Sequence, residues 1–298
     1  MKNVCVITGG GSGMGLATAK LMGKDNTILI AGRSQKKLEA ALTELRAEGV
    51  EAEAFACDVA IRESVDRLAA RAKELGPVTA VVHSAGLSPH MGEPRVIMEG
   101  NALGTVNVNE ALSAVMAKGS CIVDVSSMAG HMMPGLILPT KDYKLSRTDK
   151  ELFLHRMMAR VNLFPKSKQA GVAYGISKNF VIWYAKTDAV QRGPEGIRVL
   201  SVSPGSFETP MAELEKEATA GYTEQSPLGR IGRVEEIANL LAFCVSDKAG
   251  YLTGVDILCD GGCMAVGANP LKDKWKEVTR GLRGSTSPKP TAEAGRAA

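Results

Sequence analysis

The sequence predicts a doubly wound α/β fold: a seven-stranded parallel sheet with helices on both faces. Short apolar runs alternate with amphipathic stretches of helix length along most of the chain. This alternation requires right-handed crossovers between parallel strands. The length of 298 residues suits one α/β domain with additions, and a composition of 45% apolar and 23% charged residues is typical of a globular protein.

The elements follow in order from the apolar pattern. The seven predicted strands are VCVIT, TILIA, EAFAC, AVVH, CIVDV, IRVLSV and VDILC. The predicted helices cover residues 14–24, 35–48 and 61–73, a segment that reaches residue 118, a helix after Ala173, and residues 234–245. We therefore expect one domain over residues 1–262.

Two segments interrupt the alternation. An insertion at about residues 131–171 contains a predicted helix, because Thr148 and Glu151 form a capping box ahead of an apolar stretch. A tail over residues 263–298 contains a predicted helix at 270–283 with apolar and basic faces, followed by a segment expected to be disordered. Docking on protein, disorder and contact with an acidic membrane surface remain open for the tail.

Charge and cysteine content narrow the classes of function. The net charge of +4 belongs to the tail, and the body before Pro270 is neutral, so we expect no nucleic-acid partner. The first apolar run is too short for a signal peptide or a membrane span. Six cysteines without a CxxC pair, with four histidines, predict reduced thiols, no metal site and a cytoplasmic location.

A glycine-rich loop, TGGGSGMG, stands between the first predicted strand and the first predicted helix. Gly9, Gly13 and Gly15 allow a tight turn that brings backbone amides and a helix N-terminus against a pyrophosphate. The position of the loop, more than the glycines themselves, predicts a dinucleotide site of the Rossmann type.

The end of the second strand bears on which dinucleotide is bound. Gly32 and Arg33 stand where an NAD site would place an acid for the ribose hydroxyl. Arginine pairs with a 2′-phosphate, so the sequence favours NADP(H) while NAD remains possible. Asp58, after the third strand, either accepts a hydrogen bond from the adenine amino group or caps the next helix.

The motif YGISK places Tyr174 four residues before Lys178 on a predicted helix, so both side chains project from one face. An ammonium about 4 Å from a phenol favours the phenolate by about 4 kcal/mol at an effective dielectric near 20. This corresponds to about three pKa units and would let Tyr174 exchange a proton near neutral pH. The spacing alone is also common on solvated helix faces.

The motifs together resemble the short-chain dehydrogenase/reductase family, in the order TGGGSGMG, CDV, SAG, GNALG, VSS, YGISK, SPGSFETPM, PLGRIGRVEEIA and YLTGVDILCDGG. The resemblance implies a tetrad of Tyr174 as general acid/base, Lys178 as its activator and ribose ligand, Ser127 on the substrate oxygen and Asn101 on a relay water. It implies cofactor contacts from Thr8, Gly9, Gly11, Ser12, Gly13, Met14, Gly15, Arg33, Asp58, Val59, Ser84, Ala85, Gly86, Tyr174, Lys178, Pro204, Gly205, Phe207 and Thr209.

Departures from the family pattern resemble the bacterial 3α-hydroxysteroid dehydrogenase/carbonyl reductase branch. The segment before Asn101 is short, the segment between Ser127 and Tyr174 is long, and Ser84 replaces the asparagine of the usual NAG motif. Six apolar residues near Ser127 either form a substrate rim or pack the insertion onto its domain or a neighbouring subunit. They are Met128, Met132, Met133, Leu136, Ile137 and Leu138.

These features predict an NADP(H)-dependent oxidoreductase that interconverts a secondary alcohol and a ketone on a bulky, steroid-like substrate. A 3-oxoacyl thioester reductase and a non-catalytic NADP(H)-sensing regulator are the alternatives. The insertion would obstruct the helices through which most family members pair. We therefore expect a homodimer or homotetramer that uses the last strand and the helix at 234–245.

Overall fold

The computed structural model describes residues 2–213 and 226–267, and its centre is a seven-stranded sheet in the order β3-β2-β1-β4-β5-β6-β7. All six neighbouring pairs are parallel, which confirms the predicted fold class. The strands are Asn3–Thr8 (β1), Asn26–Gly32 (β2), Ala52–Ala56 (β3), Val78–His83 (β4), Met116–Val125 (β5), Arg198–Pro204 (β6) and Asp256–Cys259 (β7).

Helices cover both faces of this sheet. They are Gly13–Met22 (α1), Gln35–Ala47 (α2), Arg62–Leu75 (α3), Pro94–Met98 (α4), Gly104–Ser113 (α5), Ala129–Met132 (α6), Lys150–Val161 (α7), Lys166–Arg192 (α8), Pro210–Glu213 (α9) and Val234–Val245 (α10). Side chains from α3, α5 and α8 form one apolar core, and those from α1, α2 and α10 form another on the opposite face. The strands between these layers are accordingly almost continuously apolar.

The chain between α5 and β5 differs from the prediction. The helix expected to reach residue 118 ends at Ser113, and β5 begins at Met116, ahead of the apolar run CIVDV. Met116 pairs with Val78 of β4, and Gly119 N donates to Gly196 O at 2.8 Å. These hydrogen bonds to distant chain segments hold residues 116–120 extended.

The insertion folds onto the outer side of α8. Tyr143, in a 3₁₀ helix over Thr140–Arg147, meets the Phe180 ring edge-on at 5.3 Å, and its hydroxyl donates to Asn179 Oδ1 at 3.0 Å. The Phe153 ring of α7 lies 4.8 Å from the same Phe180 ring. A third apolar core thus joins the insertion to α4 and α8.

The last residues of the predicted insertion belong to α8, which begins at Lys166. One detail of the prediction is wrong. The cap of α7 is Asp149 rather than Thr148: Asp149 Oδ1 accepts a hydrogen bond from Leu152 N at 2.9 Å. Thr148 N instead donates a hydrogen bond to Leu145 O at the end of the preceding 3₁₀ helix. Because Thr148 still belongs to the end of that helix, the next residue, Asp149, caps α7.

The described chain continues past residue 262 to Gly267. Cys263 is buried and contacts Met128, so the start of the predicted tail belongs to the folded body. The predicted helix at 270–283 and the segment after it lie outside the described residues. Within residues 2–213 and 226–267, no helix is both long enough and apolar enough to span a membrane.

We expect Phe153→Ala to lower the free energy of unfolding by about 3–5 kcal/mol, because it empties a fully buried aromatic site. Urea unfolding followed by circular dichroism and by fluorescence would measure the loss. Leu152→Ala, at a neighbouring position that is 37% exposed, is the matched control and should cost about 1 kcal/mol or less. A Phe153→Ala protein as stable as the control would show that the insertion does not share the stability of the domain.

Candidate active site

A cavity of about 520 Å³ opens at the carboxyl ends of the central strands, between the glycine loop and α8. This is the end of a doubly wound sheet where ligands bind, and the volume lies in the range of small-molecule sites. The predicted site residues on its wall are Gly9, Ser12, Gly13, Met14, Gly15, Arg33, Asp58, Val59, Ser84, Ala85, Gly86, Ser127, Tyr174, Lys178, Pro204, Gly205, Phe207 and Thr209.

Three predicted site residues, Thr8, Gly11 and Asn101, do not line this cavity. The Thr8 hydroxyl is buried and shares a 2.7 Å hydrogen bond with His83 Nδ1. It also accepts a hydrogen bond from Ala85 N at 3.3 Å. Thr8 therefore fixes the loop after β4 from behind the wall.

The glycines of the loop allow backbones to approach closely. Gly9 has a φ of +69°, and an ideal Cβ there would lie 2.8 Å from Ala85 N. A Cβ on Gly15 would lie 2.6 Å from both Gly9 O and Ser84 Oγ. Ser84 Oγ donates to Thr8 O at 2.6 Å, so this serine ties β1 to β4 although it replaces the family's asparagine. Side chains at either glycine would separate the two loops.

Two cations line the cavity at the end of β2. Arg33 is a predicted site residue, whereas Lys37, in the first turn of α2, was missed because its reach depends on where that helix begins. Neither forms an ion pair with the described residues. Asp58 also lines the wall, and its Oδ1 accepts a hydrogen bond from Ala60 N at 3.0 Å, in the turn before α3.

The Tyr174 and Lys178 side chains lie on the same cavity wall, as the motif predicts. Lys178 Nζ is 5.9 Å from the centroid of the Tyr174 ring. The lysine is 6% exposed, and its ammonium donates to Val125 O at 2.9 Å. Burial lowers the pKa of Lys178 to about 8, against the opposing effect of the Asp124 carboxylate. A buried cation therefore stands beside a phenol at the cavity.

Ser127 reaches the same cavity although the insertion separates it from Tyr174 in sequence. Helix α6 lies almost in contact with α8, since an ideal Cβ on Gly130 would be 2.9 Å from Asn179 N. Ser126 Oγ donates to the Lys178 carbonyl at 2.7 Å and ties the end of β5 to α8. Ser127 Oγ accepts a hydrogen bond from Ala129 N at 3.2 Å. These contacts hold Ser127 near the tyrosine while the insertion loops outward.

Asn101 lies in a π-helical turn, Glu99–Leu103, between α4 and α5. Its Oδ1 accepts from Leu87 N at 2.7 Å, and its Nδ2 donates to Leu87 O at 3.0 Å and to Ser177 Oγ at 3.1 Å. An ideal Cβ on Gly86 would lie 3.3 Å from both Asn101 Oδ1 and Lys178 Nζ. The Asn101 side chain thus fastens the Leu87 backbone to α8 next to the lysine.

The apolar part of the wall differs from the predicted rim. Among the six predicted residues, Met128 and Met132 line the cavity, while Leu136 is 92% exposed. Met133, Ile137 and Leu138 pack at the edge of the insertion core instead. Sequence reasoning missed other apolar wall residues from the loop after β4 and from the chain after β6, namely Leu87, Pro89, Met91, Pro210 and Met211.

A row of polar residues crosses the sheet at one register. Thr8 pairs with His83, His83 with Asp124, Asp124 with Ser201, and Ser201 with Asp256. Paired residues of neighbouring strands face the same side, here the side of α5 and α8. In the sequence, this row is marked only by a single polar residue within each apolar run. Of the residues in the row, only Thr8 was predicted to belong to the site.

The chain is similar to known proteins over most of its length. A family model described as short chain dehydrogenase matches residues 3–138, and one described as Enoyl-(Acyl carrier protein) reductase matches residues 158–264. Short-chain dehydrogenase/reductase bsc3 of Alternaria brassicicola is 29% identical over 269 residues, covering 89% of this chain and 96% of its own. The 3-oxoacyl-[acyl-carrier-protein] reductase FabG of Thermotoga maritima is 28% identical over 271 residues, covering 87% and 96%.

Among solved structures, a single-residue variant of actinorhodin polyketide ketoreductase with NADPH is similar with a TM-score of 0.71. The similarity covers 88% of this chain and 97% of that chain at 24% sequence identity, and it establishes a shared fold. The fold, the two family matches and the relatives lead to one conclusion. The chain belongs to the short-chain dehydrogenase/reductase family of oxidoreductases.

Proposed function

We propose that this protein is an NADP(H)-dependent oxidoreductase that interconverts a ketone and a secondary alcohol. The observation that carries the proposal is the buried Lys178 ammonium 5.9 Å from the Tyr174 ring, on a cavity wall that also bears Ser127. A phenol beside a cation is suited to general acid/base catalysis near neutral pH, and a serine hydroxyl is suited to hold a carbonyl oxygen.

Different residues of the cavity wall would bind different parts of the cofactor. The backbone around Gly9, Gly13 and Gly15 borders the cavity at the start of α1, where its amide groups suit a pyrophosphate. Arg33 and Lys37 supply two cations, unpaired among the described residues, for a 2′-phosphate. We assign Asp58 to the adenine and residues 204–209 to the nicotinamide. NADPH in the similar ketoreductase supports this choice of cofactor.

When bound, a reduced nicotinamide supplies a hydride to the carbonyl carbon. In the proposed reaction Tyr174 donates its hydroxyl proton to the carbonyl oxygen, and Ser127 donates a hydrogen bond to the same oxygen. The Lys178 ammonium stabilises the phenolate that remains, because opposite charges attract strongly where water is excluded. Asn101 keeps the Leu87 backbone against α8 and so keeps Lys178 in place. Alcohol oxidation uses the same groups in reverse.

A bulky, hydrophobic and steroid-like substrate suits the methionine-rich part of the cavity wall. Methionines line this part of the cavity, and their flexible thioethers adapt to large apolar ligands. They are Met91, Met128, Met132 and Met211. A 3-oxoacyl thioester reductase is the second candidate, favoured by the 28% identity to FabG of Thermotoga maritima. A regulator that binds NADP(H) without turnover is the third.

We also propose a cytoplasmic homodimer. All six cysteines are free thiols, as expected in a reducing compartment. The strand β7 is at the edge of the sheet, and apolar side chains on and near it are exposed, among them Phe243, Tyr251 and Leu258. The insertion covers α4 and α8, where many family members pair. Pairing through β7 and α10 would bury the exposed edge.

We expect the wild-type protein to oxidise NADPH in the presence of a bulky ketone, and Tyr174→Phe to lower kcat/KM by about 10²–10⁴. NADPH binding should persist in the variant, because only the proton donor is removed. Tyr143→Phe, which removes a buried hydroxyl in the insertion, is the control and should keep its activity. Preferential turnover of an acetoacetyl thioester would favour the second candidate. Tight NADPH binding without reduction of any carbonyl would contradict the enzyme proposal.

The choice of cofactor is tested by charge reversal at the end of β2. Arg33→Asp and Lys37→Glu should each raise the Kd of NADPH about tenfold or more and leave NADH binding nearly unchanged, since each removes a charged contact to the extra phosphate. Lys36→Glu changes an exposed neighbour that does not line the cavity and serves as the control. Equal effects on NADPH and NADH would contradict the assignment of the two cations.

The dimer is tested by placing a charge on the proposed interface. Phe243, which is 45% exposed on α10, is replaced by glutamate. Light scattering should give the mass of two chains for the wild type and of one chain for Phe243→Glu, because a buried unpaired charge opposes association. Leu163→Glu, on the exposed surface of the insertion, should leave the mass unchanged. A monomeric wild type would remove the proposal.

A further inference from the structure

The buried ammonium of Lys178 lacks a carboxylate within hydrogen-bonding distance among the described residues. Its hydrogen bond there goes to Val125 O, a neutral carbonyl, at 2.9 Å. A cation that is only 6% exposed is unfavourable unless an opposite charge lies nearby. The proposed mechanism requires this charge, so the structure around Lys178 should supply a counter-ion.

The acid Asp124 directly precedes Val125, whose carbonyl accepts the hydrogen bond from Lys178 Nζ. Asp124 lies on the face of β5 toward α5 and α8, and its side chain is completely buried. Its Oδ2 accepts a hydrogen bond from Asn109 Nδ2 at 2.9 Å, while Oδ1 has no hydrogen-bond partner among the described residues. Burying a carboxyl oxygen without a hydrogen-bond partner lowers stability, so simple packing does not explain an aspartate at this position.

The groups that face Asp124 from β4, β6 and α8 do not supply a positive charge that would compete with Lys178 for its carboxylate. From β4, His83 is neutral because burial lowers its pKa to about 3. From β6, the facing residue is Ser201, which carries no charge. From α8, Asp188 is already paired with Arg147 of the insertion at 3.2 Å and with Arg192 at 3.8 Å.

Asn109 connects the two buried acids. Its Nδ2 lies 2.9 Å from Asp124 Oδ2 and 3.4 Å from Asp188 Oδ2. Arg147, a side chain of the insertion, pairs with Asp188 and stacks over the Tyr184 ring at 4.4 Å. Because this ion pair offsets the negative charge of Asp188, it reduces the repulsion between Asp188 and Asp124. Two buried acids, Asp124 and Asp188, therefore lie between the cations Lys178 and Arg147.

We propose that Asp124 is a positioning residue: its buried carboxylate is the counter-ion of Lys178 and keeps that side chain in its ammonium form while Tyr174 transfers its proton. This role rests on the proposed function of Tyr174. Asp124 does not line the cavity, so it touches neither the substrate nor the cofactor space.

The direction of the effect follows from the two groups. Burial raises the pKa of Asp124 and lowers that of Lys178, and the charge of each group opposes this effect of burial on the other. As the pH rises past the pKa of Lys178, that side chain loses its proton and the phenolate loses its stabilisation. Without the carboxylate, Lys178 would lose the same proton at a lower pH.

Asp124→Asn tests the role with little change in shape, because the asparagine carbonyl can still accept from Asn109. Competitive acetylation with acetic anhydride, read by peptide mass spectrometry, measures the ionisation of Lys178 without any turnover. We expect its midpoint to move to lower pH by about one unit or more in the variant. The alkaline limb of kcat/KM for ketone reduction should move in the same direction.

Glu110→Gln is the matched control, since it neutralises a partly exposed acid on α5 next to Asn109 and should leave the midpoint of Lys178 in place. If Asp124→Asn does not fold, Asn109→Leu removes the hydrogen bond that favours the carboxylate and should give a smaller shift of the same sign. An unchanged midpoint in the folded variant would overturn the inference, as would a loss of activity that is equal at every pH. An inactive wild type would refute the proposed function alone, because the acetylation still reports on Lys178.

Discussion

The active-site region of this protein is built around one buried cation. Removing the Lys178 ammonium from water is unfavourable, and the surrounding structure compensates in several ways. Val125 supplies a carbonyl oxygen, Asp124 is the proposed counter-ion, and Ser126 holds the lysine backbone against the end of β5. A charge held in a dry site acts on its neighbours more strongly than one in water. The Tyr174 phenol, one helical turn away, is the neighbour that faces the cavity.

The insertion supports this arrangement from the side away from the cavity. Its aromatic side chains pack on α8 around Phe180, and Arg147 neutralises the buried Asp188. Close contact at Gly130 lets α6 and α8 meet, which brings the end of β5 to the tyrosine. The long segment between Ser127 and Tyr174 therefore enlarges the core without separating the two residues.

Much of the fold could be predicted from sequence because its signals are local. Apolar runs such as TILIA and CIVDV can only be satisfied between two layers of helices, and the glycine loop fixes which end of the sheet binds a ligand. Tyr174 and Lys178 were found because their spacing already places them on one helix face. The boundaries of β5 and the cap of α7 were not, since each depends on hydrogen bonds to distant or irregular segments.

Other residues of the candidate site could be identified only from the three-dimensional structure. Lys37 reaches the cavity only because α2 begins directly after β2, and Met91 and Met211 come from loops that meet across the site. Asp124 is one polar letter in an apolar run, and its proximity to Lys178 depends on the packing of α8 over β5. Such residues become recognisable only when charge and burial are considered together.

Single-turnover reduction of a ketone by NADPH-loaded protein, compared between the wild type and Lys178→Met, tests the central claim most directly, because it separates the chemical step from binding and product release. We predict that the variant retains its fold and that its rate of hydride transfer is lower by about 10² or more, because the phenolate loses its neighbouring positive charge. Hydride transfer at the wild-type rate in a protein that lacks this ammonium would contradict the central claim.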